Sequence, residues 1–401
     1  MEHHPDLARR GLLAGTATAL AAAGWGRAAQ AQTASGAAAR PLPAYVAWKN
    51  PEHLIVHTAT TIETRRSAYG TSVITPSDRL YIRNNLPAPD VSIVSNRDAW
   101  VLAVEGVRNP RTLTVAELKR MGIETMATVL QCSGNGRGYF ADKPSGTKWT
   151  VGAAGCLIWS GVPVRTVVAA LGGLADGARF MTGTGGETLP AGIDPKTVIV
   201  ERSVPLKVFE DALLAWEMNG ESIPHAHGGP LRLVVPGYSG VNNIKYIKRL
   251  AFMPVETDAA IQRTGYRISP AGTKGDPSQP SVWEMDIKSW INGPDPELGP
   301  VRAGPVQIHG VAMGATRPLR RVDVSIDGGQ TWREARLVGP DLGRFAWRQF
   351  VLPVRLEPGQ YILACRAQDA QFNWQVEATP ENGGGYLNSG WRAHALPLTV
   401  T

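Results

Sequence analysis

The chain has 401 residues and a formal net charge of +7, and its length is enough for two hydrophobic cores. No dense run of lysine and arginine stands out, which argues against a nucleic-acid-binding protein and favours an anionic substrate or an acidic partner. The 44 glycines and 30 prolines predict loops and short strands rather than long helices.

The N-terminus has the pattern of an export signal. Arg9-Arg10 precedes an apolar, alanine-rich stretch over residues 12–25, and Ala29-Gln30-Ala31 forms a small-x-small cleavage site. We interpret residues 1–31 as a twin-arginine signal peptide, with an ordinary signal peptide as the alternative. This predicts a periplasmic protein that is exported already folded, a route often used when a cofactor is inserted in the cytoplasm. No later stretch has the roughly 18 apolar residues of a membrane span.

Residues 41–267 predict an α+β domain with polar motifs at the ends of strands. "TPSDRLYIRNNLPAPDVS" (75–92) reads as a strand that ends in a polar, proline-closed loop. "TVAELKRMG" (114–122) has a threonine cap, helical spacing and a closing glycine, and "GVPVRTVVAALGG" (161–173) predicts a second helix. "PLRLVVPGYSG" (230–240) predicts a buried strand followed by a glycine-rich turn.

The pattern changes after "ISPAGTKGDPSQPS" (268–281), a segment rich in proline, glycine and serine that predicts a linker. Residues 282–401 contain short alternating runs, with a strong hairpin turn at Asp327-Gly328-Gly329. About seven strands separated by turns predict an immunoglobulin-like β-sandwich. No internal repeat is visible.

The chain has only three cysteines, so at least one thiol is free, bound or reactive even where disulfides form. We predict that Cys156 and Cys365 are buried structural residues. Cys132 opens "CSGNGR", a loop without apolar side chains, where backbone N–H groups and the nearby Arg137 favour a thiolate. A structural cysteine and a nucleophile are the alternatives there. Because no catalytic-triad signature accompanies it, a soft metal ligand is the preferred interpretation.

Five stretches together resemble one enzyme family. They are "YIRNNLP" (81–87), "TVLQCSGNGRGYF" (128–140), "KWTVGAAGCLIWSGVPV" (148–164), "LLAWEMNGESIPHAHGGPLRLVVPGYSGVNNIKYIKRL" (213–250) and "VDVSIDGGQTW" (322–332). In this order they are similar to the sulfite oxidase family of molybdenum enzymes, over about residues 45–400. The resemblance implies a molybdopterin-binding catalytic domain of sulfite-oxidase type, followed by an immunoglobulin-like domain of the Mo-cofactor dimerisation type.

The resemblance also implies a mononuclear molybdenum centre with a pyranopterin dithiolene and one protein thiolate, which Cys132 would supply. Sulfite would be oxidised to sulfate by oxygen-atom transfer, and the two electrons would leave singly to a haem protein. Arg83 and Arg137 match the family's anion-binding positions, with ordinary surface salt bridges as the alternative. Tyr266 matches its active-site tyrosine, with a tyrosine packed at the domain seam as the alternative.

The cofactor positions of the family carry over to a larger set of residues. A terminal phosphate needs cationic donors, which His227, Arg232 and Lys245 would provide. The alternative for His227 is a capped loop histidine. The full set is Arg83, Asn84, Asn85, Cys132, His227, Arg232, Asn243, Ile244 and Lys245.

The sequence departs from the family at two positions. Asn85 stands where the family usually has a histidine, so a titratable group is lost and sulfite affinity or its pH dependence should differ. Gly384 stands where vertebrate members carry a further pocket arginine, which predicts a less cationic anion site.

These expectations combine into a periplasmic sulfite dehydrogenase, with a homodimer as a possible assembly. The sequence has no C-x-x-C-H motif and no haem domain is expected, so a separate cytochrome c would accept the electrons as a subunit or a soluble protein. Three alternatives stay open: a sulfane dehydrogenase-like subunit of a sulfur-oxidising system, an enzyme for another oxyanion or a sulfoxide, and a non-catalytic secreted binding protein.

Overall fold

A computed structural model describes residues 40–401, so the predicted signal peptide at residues 1–31 lies outside the described residues. In the described part, no helix is both long and apolar enough to cross a membrane. Up to residue 263 the helices are α1 (Val115–Arg120), α2 (Val164–Ala170), α3 (Pro195–Val198) and α4 (Ala260–Arg263). The strands of this part, in chain order, are β1 (Leu54–Thr58), β2 (Thr61–Thr64), β3 (Ile82–Arg83), β4 (Val101–Glu105), β5 (Arg111–Thr114), β6 (Glu124–Gln131), β7 (Ala154–Pro163), β8 (Phe180–Thr184), β9 (Glu201–Pro205), β10 (Leu213–Met218), β11 (Glu221–Ser222), β12 (Arg232–Val234) and β13 (Arg249–Met253).

The two longer helices form where the sequence predicts them. Thr114 caps α1, and its hydroxyl accepts a hydrogen bond from the Glu117 N–H while the Glu117 carboxylate accepts one from the Thr114 N–H. Helix α2 follows Pro163 and buries Val164, Val167 and Val168 against the sheets. Both helices are short, so their apolar faces rather than their propensities hold them in place.

Three sheets build the first part of the fold. One has the order β1-β2-β3, the second β11-β10-β7-β6 with β12 also paired to β10, and the third β5-β4-β13-β8-β9. Only β13 and β4 pair in parallel among these strands. The second and third sheets, together with α1 and α2, enclose the largest apolar core, which includes Leu102, Val164, Leu214, Leu233 and Leu250.

From residue 288 onwards the chain is all β. The strands are β14 (Lys288–Gly293), β15 (Gly304–Met313), β16 (Leu319–Ser325), β17 (Arg333–Glu334), β18 (Arg336–Val338), β19 (Arg348–Leu356), β20 (Gly359–Asp369) and β21 (Leu396–Val400). They form two four-stranded sheets, β14-β15-β19-β18 and β17-β16-β20-β21, which pack over a shared apolar core. The predicted fold class, an α+β domain followed by a β-sandwich, is confirmed.

The sandwich differs in one detail from the roughly seven strands expected for it. The run after the Asp327-Gly328-Gly329 turn divides into β17 and β18, which pair with different sheets. Ala335 lies between them, is buried, and donates its N–H to Val322 O. The turn itself forms the predicted hairpin, with Gly328 and Gly329 at φ values of 72° and 91° that favour glycine.

The sandwich holds the loop that follows β6. The fully buried Lys288 amine donates to Asn135 O (3.1 Å) and to Asn388 O (2.8 Å). The Asn388 amide donates to Gly136 O (3.0 Å), and the Leu387 N–H donates to Ser133 O (2.8 Å). The cysteine loop, residues 132–139, is therefore fixed by side chains and backbone from the C-terminal part of the chain.

Burial gives Lys288 a testable effect on stability. It lowers the pKa of the Lys288 amine to about 7, whereas an unfolded lysine titrates near ~10.4. Between these values the unfolded chain binds more protons than the folded one, so folding stability rises with pH by roughly 1 kcal/mol per unit. Lys288→Met removes this dependence, and wild type should gain stability relative to the variant from about pH 7.5 to about pH 9.5.

Urea unfolding at each pH measures this difference. Lys207→Met is the matched control, because the Lys207 side chain is 72% exposed and should not change the slope. Parallel stability curves for wild type and Lys288→Met would show that the buried amine keeps an ordinary pKa.

Candidate active site

A cavity lies where three strands from two of the sheets begin or end. Arg83 ends β3, Cys132 directly follows β6, and Arg232 begins β12. The cavity encloses about 630 Å³, part of it open to solvent. Ten of the residues singled out in the sequence line it: Arg83, Asn84, Asn85, Cys132, His227, Arg232, Asn243, Ile244, Lys245 and Tyr266.

Cys132 presents a free, largely buried thiol to this cavity. Its N–H donates to Ala153 O (2.8 Å), which continues the β6–β7 ladder by one residue. Asn135 then closes the loop, since its amide donates to Gln131 Oε1 (3.0 Å) and accepts from the Ala153 N–H (3.1 Å). Cys156 and Cys365 are instead buried in apolar cores, and burial raises the pKa of each thiol to about 12.

Two cationic side chains lie deep in the cavity wall. Arg232 is 3% exposed and donates to the carbonyl oxygens of His227 (2.7 Å) and Asn243 (3.1 Å). The Lys245 amine donates to Asn84 Oδ1 and to Ala226 O, both at 2.6 Å. Within residues 40–401, neither of them nor Arg83 forms an ion pair with a carboxylate. Their hydrogen bonds therefore go to neutral oxygens, and the Glu187 carboxyl acts on Arg232 and Lys245 without forming an ion pair.

The pKa shifts around the cavity follow from burial and from crowding of like charge. Burial, and then the nearby Arg232, lowers the pKa of Lys245 well below its usual value. Burial also lowers the pKa of His227, with Lys49 and Lys245 adding to the effect. Burial raises the pKa of Glu187, which lines the same cavity, to about 7. An anion bound among these groups would restore the charged forms of the lysine and the histidine.

Several buried polar atoms of the cavity lining lack a hydrogen-bond partner among the described residues. They are Ser133 Oγ, Glu187 Oε2, His227 Nε2 and Arg232 Nε. Buried polar atoms in native proteins are rarely left unsatisfied, so a cluster of them indicates a polar ligand. The combination of a thiol, unpaired cations and orphaned donors and acceptors fits a metal cofactor that carries an anionic group.

At the mouth of the cavity, Asn85 links two residues of the predicted anion site. Its Oδ1 accepts a hydrogen bond from the Arg83 guanidinium (2.5 Å) and a longer one from the Tyr266 hydroxyl (3.3 Å). Arg83 is partly exposed, in contrast to Arg232. Tyr266 has a φ of 49°, an unusual conformation for a tyrosine that turns its ring towards the cavity.

Arg137 is the one predicted site residue that does not line the cavity. Its guanidinium donates to Gly384 O (2.9 Å) and to Thr147 O (3.2 Å), and it lies 5.4 Å from the centre of the Tyr386 ring. Tyr386 in turn stacks on Tyr266 with a centroid separation of 5.0 Å. Backbone acceptors from two distant loops therefore hold Arg137 behind a pair of aromatic rings.

Sequence reasoning missed three residues that the structure brings to this region. Glu187 and Ser133 line the cavity, and Tyr386 covers Arg137. Glu187 follows β8 and the pair Gly185-Gly186. Its position just after the end of a strand is the sequence feature that could have indicated a site residue. Nothing local marked Tyr386 as a site residue, because the two side chains that its ring faces, Tyr266 and Arg137, lie more than a hundred positions away.

Comparisons with known proteins agree with this geometry. The oxidoreductase molybdopterin binding domain family matches residues 87–261, and the Mo-co oxidoreductase dimerisation domain family matches residues 279–396. Sulfite oxidase from Gallus gallus is 32% identical over 335 residues, which cover 79% of this chain and 72% of the chicken protein. The chain belongs to the sulfite oxidase family. Mitochondrial sulfite oxidase from Homo sapiens is 33% identical, over 80% of this chain and 61% of the human protein.

A solved structure is also similar. The sulfane dehydrogenase SoxCD from Paracoccus pantotrophus superposes with a TM-score of 0.71 at 24% identity, covering 86% of this chain and 89% of that chain. This likeness concerns the fold. Family membership makes the chain a molybdopterin-binding oxidoreductase, and the cavity at Cys132 has the donor set that such a cofactor requires.

Arg232→Met should reduce cofactor retention. The change removes a buried, charge-assisted hydrogen-bond donor that faces the cavity. Loss of one such bond should weaken cofactor binding by roughly ten- to hundred-fold. Arg202→Met is the matched control, because Arg202 is 1% exposed but does not line the cavity. Molybdenum and pterin per folded chain should fall for Arg232→Met and stay unchanged for Arg202→Met. Equal losses in both variants would mean that Arg232 supports only the fold.

Proposed function

We propose that this protein is a sulfite dehydrogenase that oxidises sulfite to sulfate at a molybdenum pyranopterin centre. The observation that supports it best is the free thiol of Cys132 in the same cavity as three cations without carboxylate partners. Similarity to two sulfite oxidases supports a sulfur oxyanion as the substrate. When bound, the cofactor would supply the oxygen-atom transfer and take up the two electrons.

The protein's own residues divide into two groups around the reaction. The deep group, Arg232, Lys245 and His227, would bind the terminal phosphate of the pterin, and Cys132 Sγ would bind the metal. The Asn243 side chain already bonds to Val235 N and to the carbonyl oxygens of Tyr238 and Ser239, so it and Ile244 would contact the cofactor through their backbone. Asn84 would position Lys245, because its Oδ1 accepts a hydrogen bond from the Lys245 amine.

The group at the mouth would bind the substrate. Arg83 offers a planar fork of donors that suits two oxygens of a small oxyanion. The Tyr266 hydroxyl makes only a long hydrogen bond to Asn85 Oδ1, so it could donate to an oxygen of the bound anion instead. Asn85 orients both donors through one acceptor atom but carries no proton that titrates near neutral pH.

Electron acceptor and location belong to the same proposal and rest on the sequence. We propose that a separate cytochrome c takes the electrons one at a time, as a subunit or a soluble partner. The twin-arginine pattern at Arg9-Arg10 supports export of the loaded, folded protein to the periplasm. A homodimer through the C-terminal sandwich is proposed because that part matches a dimerisation domain family.

A sulfane-sulfur substrate is the second candidate. Its support is the similar fold of a protein that is itself a sulfane dehydrogenase. The free sulfite ion would need little more than Arg83 and its neighbours at the cavity mouth, whereas a sulfane on a carrier would need a surface that admits the carrier. Turnover with free sulfite alone separates the two substrates.

Cys132→Ser tests the proposed function directly. The cofactor-loaded wild type should reduce cytochrome c when sulfite is added, and the variant should lose this activity together with its molybdenum, because a serine hydroxyl is a poor soft-metal ligand at neutral pH. Cys365→Ser, in the sandwich core, should keep both metal and turnover. Sulfite turnover in Cys132→Ser at the wild-type rate would remove the central assignment.

Asn85→His should introduce a pH dependence that the natural residue avoids. A neutral amide such as that of asparagine does not titrate, whereas an unperturbed histidine gains a positive charge below about pH 6.5. The variant should therefore bind sulfite more tightly relative to wild type as the pH falls, by about two- to ten-fold at low pH. Because sulfite also titrates, KM must be compared between the two proteins at each pH. Profiles that superimpose after scaling would place residue 85 away from the anion.

A further inference from the structure

Two guanidinium groups and two tyrosine rings form a continuous stack beside the cavity. Arg137 lies 5.4 Å from the centre of the Tyr386 ring, and Tyr386 stacks on Tyr266 with an angle of 19° between the rings. Arg202 lies 5.6 Å from the centre of the Tyr266 ring. Along this stack Tyr386 separates Arg137 from Tyr266. Tyr266 lines the cavity, whereas Tyr386 and Arg137 lie behind it.

Glycines shape the slot that holds the Arg137 guanidinium. A Cβ at Gly134 would lie 2.5 Å from a terminal nitrogen of Arg137, and one at Gly146 would lie 2.8 Å from the other. Real Cβ atoms essentially never come so close, so the guanidinium fits only because these positions have no side chain. The slot begins one residue beyond Ser133, which does line the cavity. Arg137 is thus near the cavity but outside it.

Tyr386 is held over this slot by its own neighbours. A Cβ at Gly384 would lie 2.0 Å from the Tyr386 ring, so the ring position requires glycine at 384. Gly385 and Leu387, on either side of Tyr386, have φ values of 60° and 54°. The leucine is in an unfavourable conformation, which the bond from its N–H to Ser133 O maintains (2.8 Å). The backbone therefore fixes where the ring stands.

The geometry points to Tyr386 as the residue that sets anion affinity by keeping Arg137 out of the cavity. The ring offers its face to the guanidinium, and two carbonyl oxygens, Gly384 O and Thr147 O, complete the arrangement. Arg137 reaches a bound oxyanion only when the Tyr386 ring moves aside. This inference rests on the proposed function, because it assumes that the cavity mouth binds a small oxyanion such as sulfite.

The covered state lowers the apparent affinity by a definite mechanism. When only a fraction of the molecules has Arg137 in place, the dissociation constant rises by the inverse of that fraction. Burial raises the pKa of Tyr386 to about 12, so its ring stays neutral at any working pH and covers Arg137 throughout. Arg83 then acts as the permanent cation of the mouth, and Arg137 as a second one that Tyr386 withholds.

The test compares sulfate binding, as a stable oxyanion probe, in cofactor-loaded proteins by calorimetry. Tyr386→Ala and Tyr386→Leu remove the aromatic face and should bind sulfate about five- to thirty-fold more tightly than wild type, the range that one cation–π contact corresponds to. Tyr386→Phe keeps the ring and should match wild type. Two aliphatic variants are used so that, if one of them does not fold, the other still tests the proposal.

Arg137 provides the decisive control. In an Arg137→Met background, Tyr386→Leu should give no tightening, because the cation that it would release is gone. In sulfite kinetics on the same set of variants, the tighter binding should appear as a lower KM, with kcat little changed. Unchanged or weaker sulfate binding in both aliphatic variants, no sulfate binding by any variant, or tightening that persists without Arg137, would overturn the assignment to Tyr386.

The two proposals fail in different ways. Wild type that binds sulfate but does not turn over sulfite contradicts the proposed enzyme and leaves the comparison among Tyr386 variants intact. Wild type that turns over sulfite, with variants that bind sulfate alike, supports the enzyme and removes the role of Tyr386.

Discussion

The site depends on positive charge that is buried without a carboxylate within ion-pair distance among the described residues. Arg232 and Lys245 line the same cavity, and Arg232 lowers the pKa of Lys245 in addition to the effect of burial. Such crowding is costly unless an anion occupies the space between the charges. The orphaned atoms of His227 and Ser133 face the same space. The cavity is therefore incomplete as a purely protein structure, and a phosphate-bearing cofactor would complete it.

The second domain contributes to this site although it lines none of the cavity. Lys288, Asn388 and Leu387 all bond to the backbone of the cysteine loop, and they come from the sandwich or from the segment before its last strand. Residues 133–136 of this loop are serine, glycine and asparagine, which have no apolar side chain with which to anchor themselves. Its geometry around Cys132 is consequently set from both sides, by the bonds of Asn135 to Gln131 and Ala153 and by the residues of the C-terminal part.

The sequence predicted those parts of the molecule whose cause is local. Helix α1 follows from its capping box, and the cavity residues follow from contiguous motifs such as "YIRNNLP" and "NNIKYIK". The position of Arg137 could not be predicted, because the acceptors Thr147 O and Gly384 O lie in loops that only the folded chain brings together. The same holds for Lys288, whose burial depends on contacts across domains. The division of one expected strand at Ala335 depended on which sheet offered a partner to each half.

Charge is distributed unequally between the depth and the mouth of the cavity. The deep cations are engaged by carbonyl oxygens and by whatever anion the cofactor presents, so they contribute little to binding of a second anion. At the mouth, Arg83 shares the neutral acceptor Asn85 with Tyr266, and Gly384 supplies no side chain at all. The Tyr386 ring fits only because residue 384 has no side chain. Glycine at position 384 therefore has two effects: it contributes no charge to the cavity mouth, and it lets the Tyr386 ring cover Arg137. On the proposal that Tyr386 withholds Arg137, substrate affinity in this chain would depend on where two tyrosine rings stand rather than on the number of arginines present.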